Sequence, residues 1–309
     1  MFLATAITFK VSFAVVIASS LVGNTMVILV VSLHRRMRTP MNCLLANLAL
    51  ADFFLGLFFI PLTLLNDLYV HPGGIAGDIL CKTLTYGNMS YLAAVASVMT
   101  LLFIAWERYN AIIHPHSSRG RLSARKIRLV VLTTWVAAFS FGSLEFWIMK
   151  FDEQKNSCIY DWPDALWKTD IVLWCIGLGL LPLGIEAALY SRVVYRLWGE
   201  NAQTVEISQR SLMLLRKRLT KVVVTITITN IILWLPIEIY YFVECFAGKS
   251  VAVNAGTWAP VFKSASHLML VLNTALNPII YAAQDRRLRR HMWRLLKNGC
   301  RRRRKVGNR

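Results

Sequence analysis

Residues 81–109 read CKTLTYGNMSYLAAVASVMTLLFIAWERY, and this stretch decides how the rest of the chain is read. Between Leu84 and Trp106 it holds no charged residue. At about 1.5 Å rise per residue such a run crosses a hydrocarbon core of roughly 30 Å, so it predicts a membrane-spanning helix. Asn88, Ser90, Ser97 and Thr100 within it are small or polar. Such residues suit close contact with other helices better than contact with lipid, which places this helix centrally in a bundle. At its far end Glu107-Arg108-Tyr109 sets an acid beside a base. An ionisable pair at a membrane edge is costly and marks a functional position.

Composition agrees. The chain has 309 residues, 56% of them hydrophobic and only 17% charged, too apolar for an ordinary soluble domain. Seven spans of about 25 residues with short connections use up that length. The net charge of +19 raises the question of nucleic acid, but the charges are sorted by compartment. Of the 35 Lys and Arg residues, 28 are Arg108 or fall in Arg35–Arg38, Arg119–Arg128, Arg192–Lys221 or the C-terminal tail, at the same ends of the spans. That asymmetry makes those segments cytoplasmic and the N-terminus external. No nucleic-acid partner is expected; the basic excess attracts anionic membrane lipid and acidic protein surfaces.

The expected spans are Ile7 to Val31, Cys43 to Tyr69, the stretch quoted above, Ile127 to Met149, Thr169 to Leu197, Leu212 to Phe246 and Thr257 to Ala282. The first is too long an apolar run for a cleaved signal, and the external tail ahead of it is expected to be very short. Pro61 is expected to kink the second span. Residues 1–284 then form the membrane domain, and 285–309 an amphipathic helix and basic tail. In that helix Leu288, Met292 and Leu295 recur at helical spacing, and Cys300 just beyond them is a candidate for lipidation. No Gly-rich phosphate loop, metalloprotease motif or metal-spaced Cys/His cluster occurs, so no enzymatic activity is expected.

The helix ending in Glu107-Arg108-Tyr109 resembles the third helix of rhodopsin-like G-protein-coupled receptors, and every other span supplies a landmark of that family. These are Gly23-Asn24, Asn47-Leu48-Ala49-Leu50-Ala51-Asp52, Trp135, Pro182 with Tyr190, Trp234-Leu235-Pro236, and Asn277-Pro278-Ile279-Ile280-Tyr281. The resemblance implies an all-α bundle of seven membrane helices with a short eighth helix, and a receptor at the plasma membrane. Its partners would be an extracellular ligand, a heterotrimeric G protein and arrestin. It implies a disulfide at the start of the third helix. Among the six cysteines only Cys81 and Cys158 lie on the oxidising outer side next to loops, and this makes them the natural pair. Cys43, Cys175 and Cys245 are expected to be buried small hydrophobes.

By the same resemblance, Asp52, Ser97, Asn273 and Asn277 converge on an allosteric sodium ion, with no other cofactor. Glu107, Arg108 and Tyr109 couple to the G protein. Trp234, Pro236, Pro182, Tyr190, Tyr281, Asn277 and Pro278 make the activation switch, the prolines removing backbone hydrogen bonds so that the cytosolic helix halves can swing.

Several residues depart from the family pattern. Cys81 and Arg108 are two residues further apart than is usual, which leaves either Asn88 or Ser90 to face the ligand. Neither is acidic, so the Asp with which amine receptors hold an ammonium is absent. Asn230 stands where a Phe is usual, and Arg216 where an acid often latches Arg108. A retinal Schiff base would need a lysine where Val271 stands, and no internal repeat points to a transporter. The run Cys158-Ile159-Tyr160-Asp161-Trp162-Pro163 resembles a signature of neuropeptide receptors of the tachykinin and neuropeptide Y or FF kind, which favours a peptide ligand over a small amine. Asp152, Glu153, Asp161, Asp164 and Glu244 give the outer surface a negative rim suited to steering a basic peptide. Glu238 lies one turn beyond Trp234 on the same helix face and is the expected anchor, with Glu145 and Glu244 as secondary acids nearer the rim. His267, Lys263 and Tyr241 are its candidate neighbours.

Overall fold

The structure is a computed structural model, and it describes all residues except 1, 67, 69–70, 116–121, 155–156, 162, 200–206, 248–257 and 307–309. Six helices are long and apolar enough to cross a membrane, spanning Ala4–Leu33, Pro40–Leu65, Gly74–Ile113, Ala124–Ile148, Ala165–Trp198 and Met213–Phe246. The seventh, Trp258–Gln284, is 27 residues long. At about 1.5 Å per residue that is ample to span, but Lys263, Ser266, His267, Asn273, Thr274 and Asn277 make it the most polar of the set. Those residues are turned inward. Ser266, His267, Asn273, Thr274 and Asn277 are all buried, and the helix packs against the first, second and sixth.

The fourth helix reads the opposite way. Leu129, Leu132, Val136 and Phe139 form one exposed stripe at helical spacing, as a helix at the lipid boundary requires. The third helix is central, touching the second, fourth, fifth and sixth, and most of its residues from Leu92 to Ile104 are buried. Close approach relies on small side chains: a Cβ on Gly23 would stand 3.0 Å from Pro278, so glycine lets the first and seventh helices meet there.

The third span is not one continuous helix. A short helix, Gly74–Leu80, runs into a π turn at Cys81–Thr85, the chain breaks at Tyr86-Gly87, and the main helix begins at Asn88. Gly87 sits at φ +95°, a conformation that side-chain-bearing residues reach only with strain. This is how the bundle absorbs the two surplus residues between Cys81 and Arg108: the wide turn and the break take them up outside the core. Other π turns interrupt the second span at Pro61–Leu65, where a kink was expected from Pro61, and the fifth at Cys175–Leu180. Pro236 and Pro278 lie within otherwise continuous helices.

A two-stranded hairpin, β1 Met149–Asp152 and β2 Ser157–Tyr160, follows the fourth helix and is the one departure from all-helical structure among the described residues. The Cys81–Cys158 disulfide ties it to the third span, with Cα atoms 5.6 Å apart. Asp78 Oδ1 accepts from the Phe151 N–H at 2.8 Å, and Glu153 Oε1 from the Gly74 N–H at 3.0 Å. His71 stacks on Phe151 at 4.5 Å.

The eighth helix, Arg286–Val306, starts from Asp285, whose Oδ1 accepts the N–H groups of Arg287 and Leu288. Leu288 is buried and Met292 and Leu295 pack on the cytosolic core, the stripe that the sequence spacing predicts. The backbone of Cys300 lies in this helix, but its side chain falls outside the described residues.

Replacing Gly87 with alanine forces a Cβ into the left-handed region, at about 1–2 kcal/mol. The Gly87→Ala protein should therefore unfold at a lower temperature in detergent. Gly184→Ala is the control, since a Cβ there meets nothing within 4 Å and alanine favours the helix. Equal midpoints for the two variants would refute the strained turn.

Candidate functional site: an acidic outer cavity and a polar core

A cavity opens between the third, fourth, fifth and sixth helices, with Trp234 among its lining residues. Three carboxylates line it: Glu145 from the end of the fourth helix, Asp170 from the fifth and Glu238 from the sixth. Glu145 is 7% and Asp170 8% exposed. Trp174, one turn beyond Asp170, lines the cavity with both acids. Glu238 accepts from the Cys175 thiol at 3.3 Å. That thiol is a polar partner where a plain hydrophobe was expected, and Cys43, Cys175 and Cys245 are only half-buried.

None of the neighbours anticipated for Glu238 is bonded to it. The His267 ring meets the hydroxyls of Tyr241 at 3.3 Å and Tyr91 at 3.4 Å, and those hydroxyls lie 3.2 Å apart. His267 Nδ1 reaches the Lys263 carbonyl at 2.8 Å, while the Lys263 ammonium lies over the rings of Tyr240 and Tyr241. This Tyr91–Tyr241–His267 cluster stands between the acidic cavity and a second one, lined by Lys10, Phe13, Asn66, Tyr86 and Lys263.

Asn88 and Ser90 do not face the ligand cavity. Asn88 is 2% exposed and donates to the Lys82 carbonyl at 3.0 Å, closing the break above it, and Ser90 is 1% exposed. The residue of the third helix that reaches both cavities is Tyr91. Asp170 and Glu186, a buried acid one turn before Tyr190, also escaped the sequence reading. An acid in a membrane helix was the available signal for both.

The acids of the outer rim are largely engaged within the protein. Asp161 pairs with Lys150, Glu153 holds the Gly74 N–H, and Glu244 accepts from Tyr240. Trp162 and the side chain of Asp164 lie outside the described residues.

Below the cavity, Asp52 is fully buried. Ser97 Oγ donates to its Oδ1 at 3.1 Å and Asn277 Nδ2 to its Oδ2 at 2.7 Å, joining the second, third and seventh helices. Asn273 turns away: its Nδ2 donates to Asn230 Oδ1 on the sixth helix at 2.8 Å. The Oδ1 atoms of Asn273 and Asn277 are buried without a hydrogen-bond partner. Asp52, Ser97 and Asn277 meet through their hydrogen bonds and offer oxygen donors, which suit a hard cation, while Asn273 is bonded to Asn230 instead. Alongside, Asn47 donates to Thr100 at 2.8 Å and accepts from the Trp135 indole at 3.1 Å.

At the cytosolic end Arg108 is 6% exposed and ion-paired to Glu107 beside it. Arg216 faces the same cleft with Glu107 and Arg108 and offers the latter no acid. Tyr109 is half-buried against His114, and Tyr190 and Tyr281 are buried in the cytosolic core. The Tyr281 hydroxyl is buried without a hydrogen-bond partner.

Residues 23–281 match the family model described as 7 transmembrane receptor (rhodopsin family). The chain belongs to that family. The match runs from Gly23 at the contact with Pro278 to Tyr281, and so covers the disulfide, the polar core and the cytosolic ion pair. Such proteins are receptors and not enzymes. The chain is 25% identical to the pyroglutamylated RF-amide peptide receptor of Mus musculus over 305 residues, 92% of this chain and 69% of that one. It is 28% identical to the allatostatin-A receptor of Bombyx mori over 271 residues (85% and 72%). Its identity to the neuromedin-K receptor of Homo sapiens is 30% over 288 residues (91% and 59%).

Asn230→Leu would leave the buried Asn273 amide without its acceptor, at a cost of about 1–3 kcal/mol. Its unfolding midpoint should fall below wild type, and adding Asn273→Leu should recover part of the loss. A single variant as stable as wild type would show that this hydrogen bond contributes nothing.

Proposed function

We propose that the protein is a plasma-membrane receptor, N-terminus outside, that a cationic neuropeptide activates from the outer cavity. The observation carrying this reading is Glu238, a carboxylate at membrane depth whose one hydrogen-bond partner among the described residues is a thiol. A buried carboxylate so weakly satisfied is costly, and an Arg, Lys or terminal amine from a ligand compensates it. The absence of an acid at Asn88, Ser90 or Tyr91 weighs against a monoamine, and the relatives named for RF-amide, allatostatin and neuromedin peptides support a peptide.

Signalling follows from differential binding. The Arg108–Glu107 pair closes the cytosolic face; a G protein, and arrestin after it, binds the open face. Trp234, on the sixth helix with Pro236, lines the cavity as well, so a ligand seated there bears on the helix that must swing outward. Pro182, Tyr190, Pro278 and Tyr281 are the packing that rearranges. Agonist and G protein then reinforce each other by typically 1–3 kcal/mol.

Sodium held by Asp52, Ser97, Asn273 and Asn277 favours the closed form, and linkage requires that it weaken agonist binding in return. The basic eighth helix lies on anionic lipid, with Cys300 as a lipidation site.

Glu238→Gln keeps the shape and removes the charge. A charge-assisted contact contributes about 1.5–3 kcal/mol, so agonist potency should fall roughly tenfold to a hundredfold at unchanged surface expression. Unchanged potency would make Glu238 a structural residue. Arg108→Ala should bind agonist yet fail to release nucleotide from the G protein, and normal coupling would sink that assignment. Sodium should lower agonist affinity in wild type and not in Asp52→Asn; a sodium response retained in that variant would remove the ion from Asp52.

A further inference from the structure

The cavity holds more acidic side chains than one anchor needs, and they fall in two places. Glu238 contacts the fifth helix through Cys175, at the seam of helices five and six. Glu145 on helix four and Asp170 on helix five line the cavity together. Both are more than nine-tenths buried and line the cavity, and among the described residues nothing donates a hydrogen bond to the Glu145 carboxylate. No Lys, Arg or His among the described residues forms an ion pair with any of the three. No Lys, Arg or His is among the residues lining the cavity, and Lys263 lies over two tyrosine rings and His267 within its tyrosine cluster.

We propose that the cavity contains two separate cation subsites, Glu238 and the Glu145–Asp170 pair, and selects a ligand bearing two positively charged groups at a set separation. This rests on the cationic-ligand reading and extends it from one charge to two. Two like charges held together away from water repel, and a cation placed between them relieves the repulsion and the lost hydration of both. The walls favour a guanidinium over an ammonium. Trp174 meets Tyr91 edge-on at 6.0 Å beside Asp170, so a planar cation finds aromatic faces next to its carboxylates. Guanidinium is also the more weakly hydrated of the two, and its fork matches a carboxylate.

The test uses purified full-length receptor and ligand-induced shifts of its unfolding temperature. The probes are a homologous series of α,ω-bis-guanidinoalkanes, with the monoguanidinoalkane of equal carbon count as the control for each. One chain length in the bis series should bind at least roughly tenfold more tightly than its monocationic control, the yield of one additional charge-assisted contact. Glu238→Gln should abolish that preference, and so should the Glu145→Gln, Asp170→Asn double variant. These neutral isosteres remove buried charge without opening a cavity, and the melting of the unliganded variants checks that they fold. Equal binding of both series, with the monocation still dependent on Glu238, overturns the second subsite and leaves the single-anchor reading intact. A bis preference that survives the double variant places the second cation elsewhere and also overturns the proposal. Binding of neither series contradicts both readings.

Discussion

A carboxylate buried where water cannot reach it must be held by the protein, and Asp52 is held from two other helices. Ser97 and Asn277 each donate to one of its oxygens, so the second, third and seventh helices share a fixed point at the middle of the bundle. The other central polar residues extend the same logic. Asn47 ties the second helix to Thr100 and Trp135, and Asn24 ties the first to the Thr274 carbonyl at 3.1 Å. In a hydrocarbon medium apolar side chains gain little by leaving lipid, so these hydrogen bonds and the close packing at Gly23 do much of what a hydrophobic core does in water.

That constraint makes the outer acids informative. Asp52 is satisfied by two donors, whereas among the described residues Glu145 has no hydrogen bond to its carboxylate and Glu238 only a thiol. On that contrast rests the proposal that the outer acids serve a ligand while Asp52 builds the bundle. The tyrosine–histidine cluster sharpens it, because Lys263 and His267 are turned toward Tyr240, Tyr241 and Tyr91 and not toward the carboxylates.

Much of this was legible in the sequence, for identifiable reasons. Span positions follow from hydropathy, the partners of Asp52 from motif positions, and the eighth-helix stripe from the spacing of Leu288, Met292 and Leu295. What escaped depended on backbone detail or on rotamers. The surplus of two residues between Cys81 and Arg108 announced that the third span had to deviate, but not that a π turn and a left-handed Gly87 would absorb it. Since the break lies above Asn88, that residue serves the turn and Tyr91 inherits the cavity. Asn230 was visible as a departure, yet only the structure shows that it draws Asn273 away from Asp52. The outer rim looked available because acids in a loop carry no mark of their partners. Asp161 is paired with Lys150, and Glu153 holds a backbone N–H.

The central claim is that positive charge on a peptide is what the outer cavity recognises. The most direct measurement is a calcium and cyclic-nucleotide response screen of cells expressing the receptor against amidated peptides and amines, each basic peptide matched by a version with citrulline for arginine and norleucine for lysine. The account predicts responses from basic peptides that vanish in their neutral counterparts. Activation by the neutral counterparts at the same concentrations would contradict it.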